Sequence, residues 1–220
     1  MTILWQASGC PMGFSWLSPA LLSFVAMLWS VTLSPTNPPS PGMEPPHASL
    51  AGDLLIASPQ IGDPRFWHTV ILIVVQNDGG TLGIVINRPV ATVPLGGLLK
   101  AVGLNSAGIK GTVRIFAGGP LAPTVGYILH SAEYHHAGTI DIDGHVAMTQ
   151  SPDILLDIAH GHGPKKSLIA FGYAGWAPGQ LDFELARGDW FVIPETTKLV
   201  FDDKREHVWD DAMARRTTPL

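Results

Sequence analysis

The chain has one cysteine, Cys10, in 220 residues. An intramolecular disulfide and a paired-cysteine metal site are both excluded, and the usage fits a reducing compartment. Charge is also scarce. Asp, Glu, Lys and Arg make up 14% of the residues, against about 25% in an ordinary globular domain. The net charge of −5 argues against bare nucleic acid as the main partner, because phosphate binding needs a basic face. The basic residues fall in short pairs, Lys165-Lys166, Lys204-Arg205 and Arg215-Arg216, which read as solvated surface. No G-x-S-x-G and no GxxxxGK[ST] occurs, so a nucleophile elbow and a phosphate loop are excluded. Neither a catalytic constellation nor a cofactor is expected.

Charge is missing altogether from residues 1–42, which hold no Lys, Arg, Asp, Glu or His. The run Phe14–Leu33 is uncharged over 20 residues, long enough to span a bilayer as a helix. It lacks the basic n-region and small-x-small site of a signal peptide, and it lacks the basic flank of an anchor. Met43 opens a stretch that reads as ordinary soluble protein. The preferred reading is therefore an over-early start, with residues 1–48 a non-native or unstructured extension and the protein cytoplasmic. A membrane anchor or signal segment through Phe14–Leu33 and a disordered Pro-rich arm stay open as alternatives.

From Leu50 onwards the pattern is globular. "LLIASP" reads as a strand. "TVILIVVQN" is β-branched and continuous, as a strand buried on both faces would be. "DGG", Asp78 to Gly80, reads as a type I′ hairpin turn, with Thr81–Pro89 the returning strand and Gly83 a bulge or close contact. "VPLGGLLKAVGL" is a weak helix. "TVRIFA", "VGYILHS" and "KSLIAFGY" read as strands, and "GTIDIDGHVAMTQ" as a hairpin around Asp143-Gly144. In "SPDILLDIAHGHG", Ser151, Pro152, Asp153 and Gly161 supply helix punctuation. "PGQLDFELARG" is a short helix with Leu181 and Leu185 on one face. "WFVIPE" is a strand. "DDKREHVWDDAMARR" is a last helix, with Asp203 and Glu206 at capping-box spacing. Hairpins among a few helices give an α+β fold, residues 49–216 forming one domain.

Several of these segments together resemble one family. "LAGDLLIASPQIGDPRFWHTVILIVVQNDGGTLGIVINRP", "AGGP" at Ala117–Pro120, "GYILH" at Gly126–His130, "GYAGWAPGQLDFEL" and "VFDDKREHVWDDA" follow the order of motifs in the YqgE/AlgH family. The resemblance implies a mainly antiparallel, bifurcated sheet rolled into a pseudo-barrel, with short helices and a C-terminal helix. It carries no catalytic residue, metal or cofactor. Part of the family's name reflects a genetic association with transcriptional control of exopolysaccharide genes. An indirect role through a protein partner follows better than direct DNA binding, since the last helix carries Asp210 and Asp211 where a recognition helix would be basic.

The residues left for a ligand or partner site are Asn87 and Arg88, at the rim of a strand, and Tyr173, Trp176, Gln180 and Glu184 in the glycine-rich motif. Arg offers a planar donor fork suited to an anion; otherwise Asp63 is its expected internal partner. His135-His136 and His160-x-His162 invite a metal reading. A helix C-terminus at His160 and an extended backbone at His135-His136 account for them without one.

Overall fold

A computed structural model describes residues 49–216. Ten strands and five helices follow one another as β1 (Asp53–Ala57), β2 (Val70–Asn77), β3 (Gly80–Val85), β4 (Pro89–Pro94), α1 (Leu95–Ala101), β5 (Thr112–Ala117), β6 (Leu121–Ser131), β7 (Ile140–Asp141), β8 (Val146–Thr149), α2 (Ile154–Ala159), β9 (Ser167–Trp176), α3 (Gln180–Arg187), β10 (Trp190–Pro194), α4 (Thr197–Val200) and α5 (Val208–Arg216). The sheet order is β10-β1-β2-β3-β9-β6-β8-β7, with the β4–β5 pair joined to β9 through β5. All pairings are antiparallel except β5 with β9. The fold is α+β, a curled, mainly antiparallel half-barrel with a C-terminal helix.

Alternating side chains explain the uninterrupted apolar runs. Leu54, Ile56, Val70, Leu72, Ile84 and Ile86 point into the curl, where Leu199, Val200, Val208 and Ala212 of α4 and α5 close it. Leu55, Ile71, Ile73 and Val85 point outward beneath Leu181 of α3 and the indoles of Trp176 and Trp190. A second outer layer sets α1 and α2 on Ile115, Ile128 and Ile169. Strands covered on both faces have no solvent side to populate with polar residues.

The sheet forks at β9. Its first half lies between β5 and β6, while its second half pairs with β3. The fork is held by the Gly118-Gly119 turn. Gly118 N–H donates to Phe171 O at 2.8 Å, and Val85 N–H donates to Gly118 O at 2.8 Å. The backbones approach so closely that a Cβ on Gly119 would lie 2.1 Å from the Tyr173 carbonyl carbon, and one on Gly172 (φ +79°) 2.4 Å from Gly119 O. Only glycine permits that contact.

Several local expectations are corrected. The β2–β3 turn is not type I′, because positive φ occurs at Gly80 and not at Asp78 or Gly79; the Asn77 side chain accepts the Gly79 N–H instead. The returning strand ends at Val85, and Pro89–Pro94 is a separate edge strand flanked by prolines, a placement proline tolerates because an edge need not donate on both sides. Helix α2 starts at Ile154, after a turn in which Ser151 Oγ accepts the Asp153 N–H. The last segment is broken. Asp202 accepts the Lys204 N–H, a single 3₁₀ turn covers Arg205–His207, and α5 begins at Val208, so Asp203 and Glu206 form no capping box. No helix among the described residues is long and apolar enough to cross a membrane. Cys10 and Phe14–Leu33 lie outside the described residues.

Candidate functional site

The glycine-rich motif is a strand, a turn and a helix. Gly179 (φ +74°) and Gly188 (φ +81°) bound α3 in the left-handed conformation. The helix lays Leu181 on the outer core, and Glu184 one turn later receives three donors. Its Oε2 accepts from Trp176 Nε1 at 2.9 Å and from Trp190 Nε1 at 2.8 Å, and its Oε1 accepts from Gln180 Nε2 at 2.9 Å. Gln180 Oε1 accepts the Ala177 N–H at 3.1 Å. Trp176 and Trp190 are 6% and 3% exposed, their rings 5.8 Å apart and edge-on. Trp176, Gln180 and Glu184 are thus brought together as a clasp that fastens α3 to the ends of β9 and β10.

Asn87 and Arg88 stand apart from that clasp. Asn87 Oδ1 accepts the Val70 N–H and its Nδ2 donates to His68 O, at 2.9 and 2.8 Å. One Arg88 guanidinium N–H donates to Trp67 O at 2.6 Å. Both tie the end of β3 to the segment entering β2, where His68 holds φ +52°. The clasp lies at the opposite end of β3, where Thr81 pairs with Trp176. Asp63 is not the partner of Arg88; it forms a side-chain pair with Arg65, two residues away in its own turn. His160 closes α2, its N–H on Leu156 O, and a His136 ring nitrogen meets Ala137 O at 3.0 Å.

Tyr173 faces the other way, into the curl, edge-on to Tyr127 with centroids 6.0 Å apart. It lines an open apolar trough of about 480 Å³ with Val75, Leu82, Leu121, Gly175 and Ala177. Gly175 forms the floor, since a Cβ there would lie 3.0 Å from Leu121 and 3.1 Å from the Tyr173 ring. Leu121 is 44% exposed on the lip. On the β6 side, pairing with β9 stops at Leu121–Tyr173. Among the described residues no strand continues along that edge at Gly175 and Trp176.

Arg205 overturns its reading as solvated surface. It is 6% exposed, with Nη1 donating to Val200 O at 2.8 Å and Ile86 O at 3.3 Å. Its guanidinium carbon lies 5.1 Å from the centre of the Phe116 ring. Burial pulls its pKa down to about 10. The sequence cue was the apolar frame around it, Val200 and Phe201 before and Val208 after, which a surface pair would not need.

A half-barrel forked by a glycine crossing, with α4 and α5 closing its curl, α3 clasped outside and a trough at the fork, defines a small α+β domain class. The sequence places it more closely. The AlgH-like family model matches residues 54–220. A UPF0301 protein of Methylococcus capsulatus is 39% identical over 183 residues, which is 81% of this chain and 100% of that protein. One of Jannaschia sp. is 43% identical over 166 residues, 74% of this chain and 86% of that protein. The chain belongs to the AlgH-like family. The solution structure of the AlgH protein of Pseudomonas aeruginosa is similar at TM-score 0.66 and 36% identity, covering 81% of this chain and 94% of that one. A Corynebacterium diphtheriae protein, at 23% identity and TM-score 0.60 over 81% of this chain and 91% of its own, shares the fold.

Proposed function

We propose that this chain is a cytoplasmic interaction module that regulates transcription indirectly, by taking an extended segment of a protein partner along the open edge of β9. The observation carrying this reading is the trough at that edge. An added strand would satisfy those backbone groups of the Gly175–Trp176 stretch that face away from β3, and an apolar side chain of the same segment would fill the space between Leu121 and Tyr173. That is the division of labour of strand addition, with backbone giving affinity and a pocket giving selectivity. Direct DNA reading is disfavoured by the acidic first turn of α5, Asp210 and Asp211. A second reading, a small-anion binder, is favoured by Arg205, whose Nε is buried without a hydrogen-bond partner among the described residues, more than by the Asn87-Arg88 rim.

The test compares the full chain, Leu121→Lys and Phe183→Lys in affinity capture, followed by titration of the purified partner. Phe183 is 65% exposed on α3, does not line the trough and serves as a control. The expected result is a partner retained by F183K and lost by L121K, with amide shifts at Gly175–Ala177 on binding. Equal capture by L121K and wild type refutes the trough as the docking site.

A further inference from the structure

The inner-face residues of the β4–β5 pair end in a recess distinct from the trough. Thr112, Arg114 and Phe116 alternate along β5 on one face, and Thr92 of β4 is the cross-strand partner of Arg114. The start of β9, at Ser167, and the segment carrying Asp203 and Arg205 complete a recess of about 320 Å³. At its inner end Arg205 lies against Phe116. At its mouth Arg114 Nη1 donates to Asp203 O at 3.2 Å.

Two guanidinium groups share this recess. The ion pairs among the described residues are Asp63–Arg65 and Arg187–Asp189, so within them neither Arg114 nor Arg205 touches a carboxylate. Arg205 Nε is buried with no hydrogen-bond partner among the described residues, although its Nη1 reaches backbone carbonyls. The acidic groups nearby are Asp203, on the rim, and Asp202, whose Oδ1 is taken by the Lys204 N–H. A buried guanidinium ordinarily has an anion or a complete set of acceptors. This one keeps its Nε unpartnered among the described residues; Asp202 and Asp203 favour its charge, but the Arg114 guanidinium works against it. An oxyanion between them would relieve both, and guanidinium forks match tetrahedral oxyanions in bidentate fashion. The flanking groups are hydroxyls, Thr92, Thr112 and Ser167, each able to donate to a further oxygen.

We propose that the recess between Arg114 and Arg205 binds a single tetrahedral oxyanion, either free phosphate or the phosphate of a small monoester. The recess is at the small end of ligand pockets, which begin at about 300 Å³, so a phosphate with a short carbon chain fits and a nucleotide does not.

The test titrates the full chain with inorganic phosphate, and separately with glycerol phosphate, against chloride at matched ionic strength. Amide shifts and thermal stability are followed together. The expected result is a saturable shift at residues 112–116 and 203–205 with either probe. Saturation by inorganic phosphate alone assigns the site to the free ion; comparable binding of glycerol phosphate assigns it to a monoester. Arg114→Gln, at an exposed position, weakens binding about 10- to 100-fold, the loss of one charge-assisted contact. Arg205→Gln removes it, and because that variant risks the fold, Thr112→Val provides a second, smaller loss in an intact protein. L121K binds phosphate as the wild type does, which separates this site from the trough. Shifts that never saturate, shifts that follow ionic strength alone, or unchanged affinity in R114Q each overturn the proposal.

Discussion

Removing the Glu184 carboxylate should release α3 from the sheet, at a cost that follows from its three donors. Both indole N–H groups converge on one oxygen, Oε2. Glu184→Ala therefore orphans two donors whose rings are almost wholly buried. Each buried unsatisfied donor costs about 1–3 kcal/mol. The Gln180 contact is exposed and adds little. Some relaxation lets water reach one indole, so the expected loss is about 2–4 kcal/mol. Glu184→Gln provides the internal control. Its amide oxygen, placed at Oε2, keeps both indoles, and its NH₂ then faces Gln180 Nε2, a donor against a donor. It loses that contact and the charge assistance, roughly 1 kcal/mol. Urea unfolding of the full-length chain followed by far-UV circular dichroism measures both. The two indole resonances in a nitrogen–proton spectrum should move in E184A and hold nearly still in E184Q. A loss below about 0.5 kcal/mol in E184A, or equal losses in the two variants, refutes the clasp.

Two further expectations concern pH and backbone geometry. The Glu195 carboxyl is raised to about 7, by burial first and then by Asp143, and its Oε1 is buried without a hydrogen-bond partner among the described residues. Since the folded value exceeds the ordinary one, the unfolded chain ionises first, and stability falls as pH rises from about 4.5 to 7; Asp53, also raised by burial and Asp143, acts in the same direction. Glu195→Gln should therefore gain about 1–2 kcal/mol at pH 8, discounted for partial exposure, and nothing at pH 4. Melting curves that stay parallel across that range would remove the basis for this expectation. At the fork, Gly119→Ala meets backbone atoms that no rotamer change can move, and a loss of more than ~3 kcal/mol is expected in the same urea assay; Gly179→Ala, with nothing within 4 Å of its added carbon, should cost only the left-handed strain of about 1–2 kcal/mol.

How much was legible in the sequence depended on whether a signal was local. The continuous apolar strands at Leu54 and Val70, the glycine-bounded α3 and the antiparallel hairpins follow from patterns within a dozen residues, and they stand in the fold. The β4 strand was obscured because Pro89 and Pro94 mark a sheet edge and also punctuate loops. The turn after Asn77 was misjudged because an Asn side chain can satisfy the same amide that a type I′ backbone would. Nothing local could reveal the fork, since Gly119 and Gly172 are 53 positions apart and each looks like an ordinary turn glycine. The motif beginning at Gly172 illustrates the same limit. Its glycine, aromatic and acidic residues suggested one site, yet they separate by side of the sheet. Trp176, Gln180 and Glu184 go outward into the clasp, and Tyr173 goes inward to the trough. A strand reverses side at every residue, so neighbours in sequence are assigned to opposite faces. The anion question moved in a parallel way. Arg88 drew attention because a strand end is visible in sequence, whereas Arg205 sat in a basic pair that composition assigns to solvent. What distinguishes them is burial, a property of residues 86, 116 and 200 converging from distant parts of the chain. Buried arginines of this kind are therefore found by asking which charges folding takes out of water.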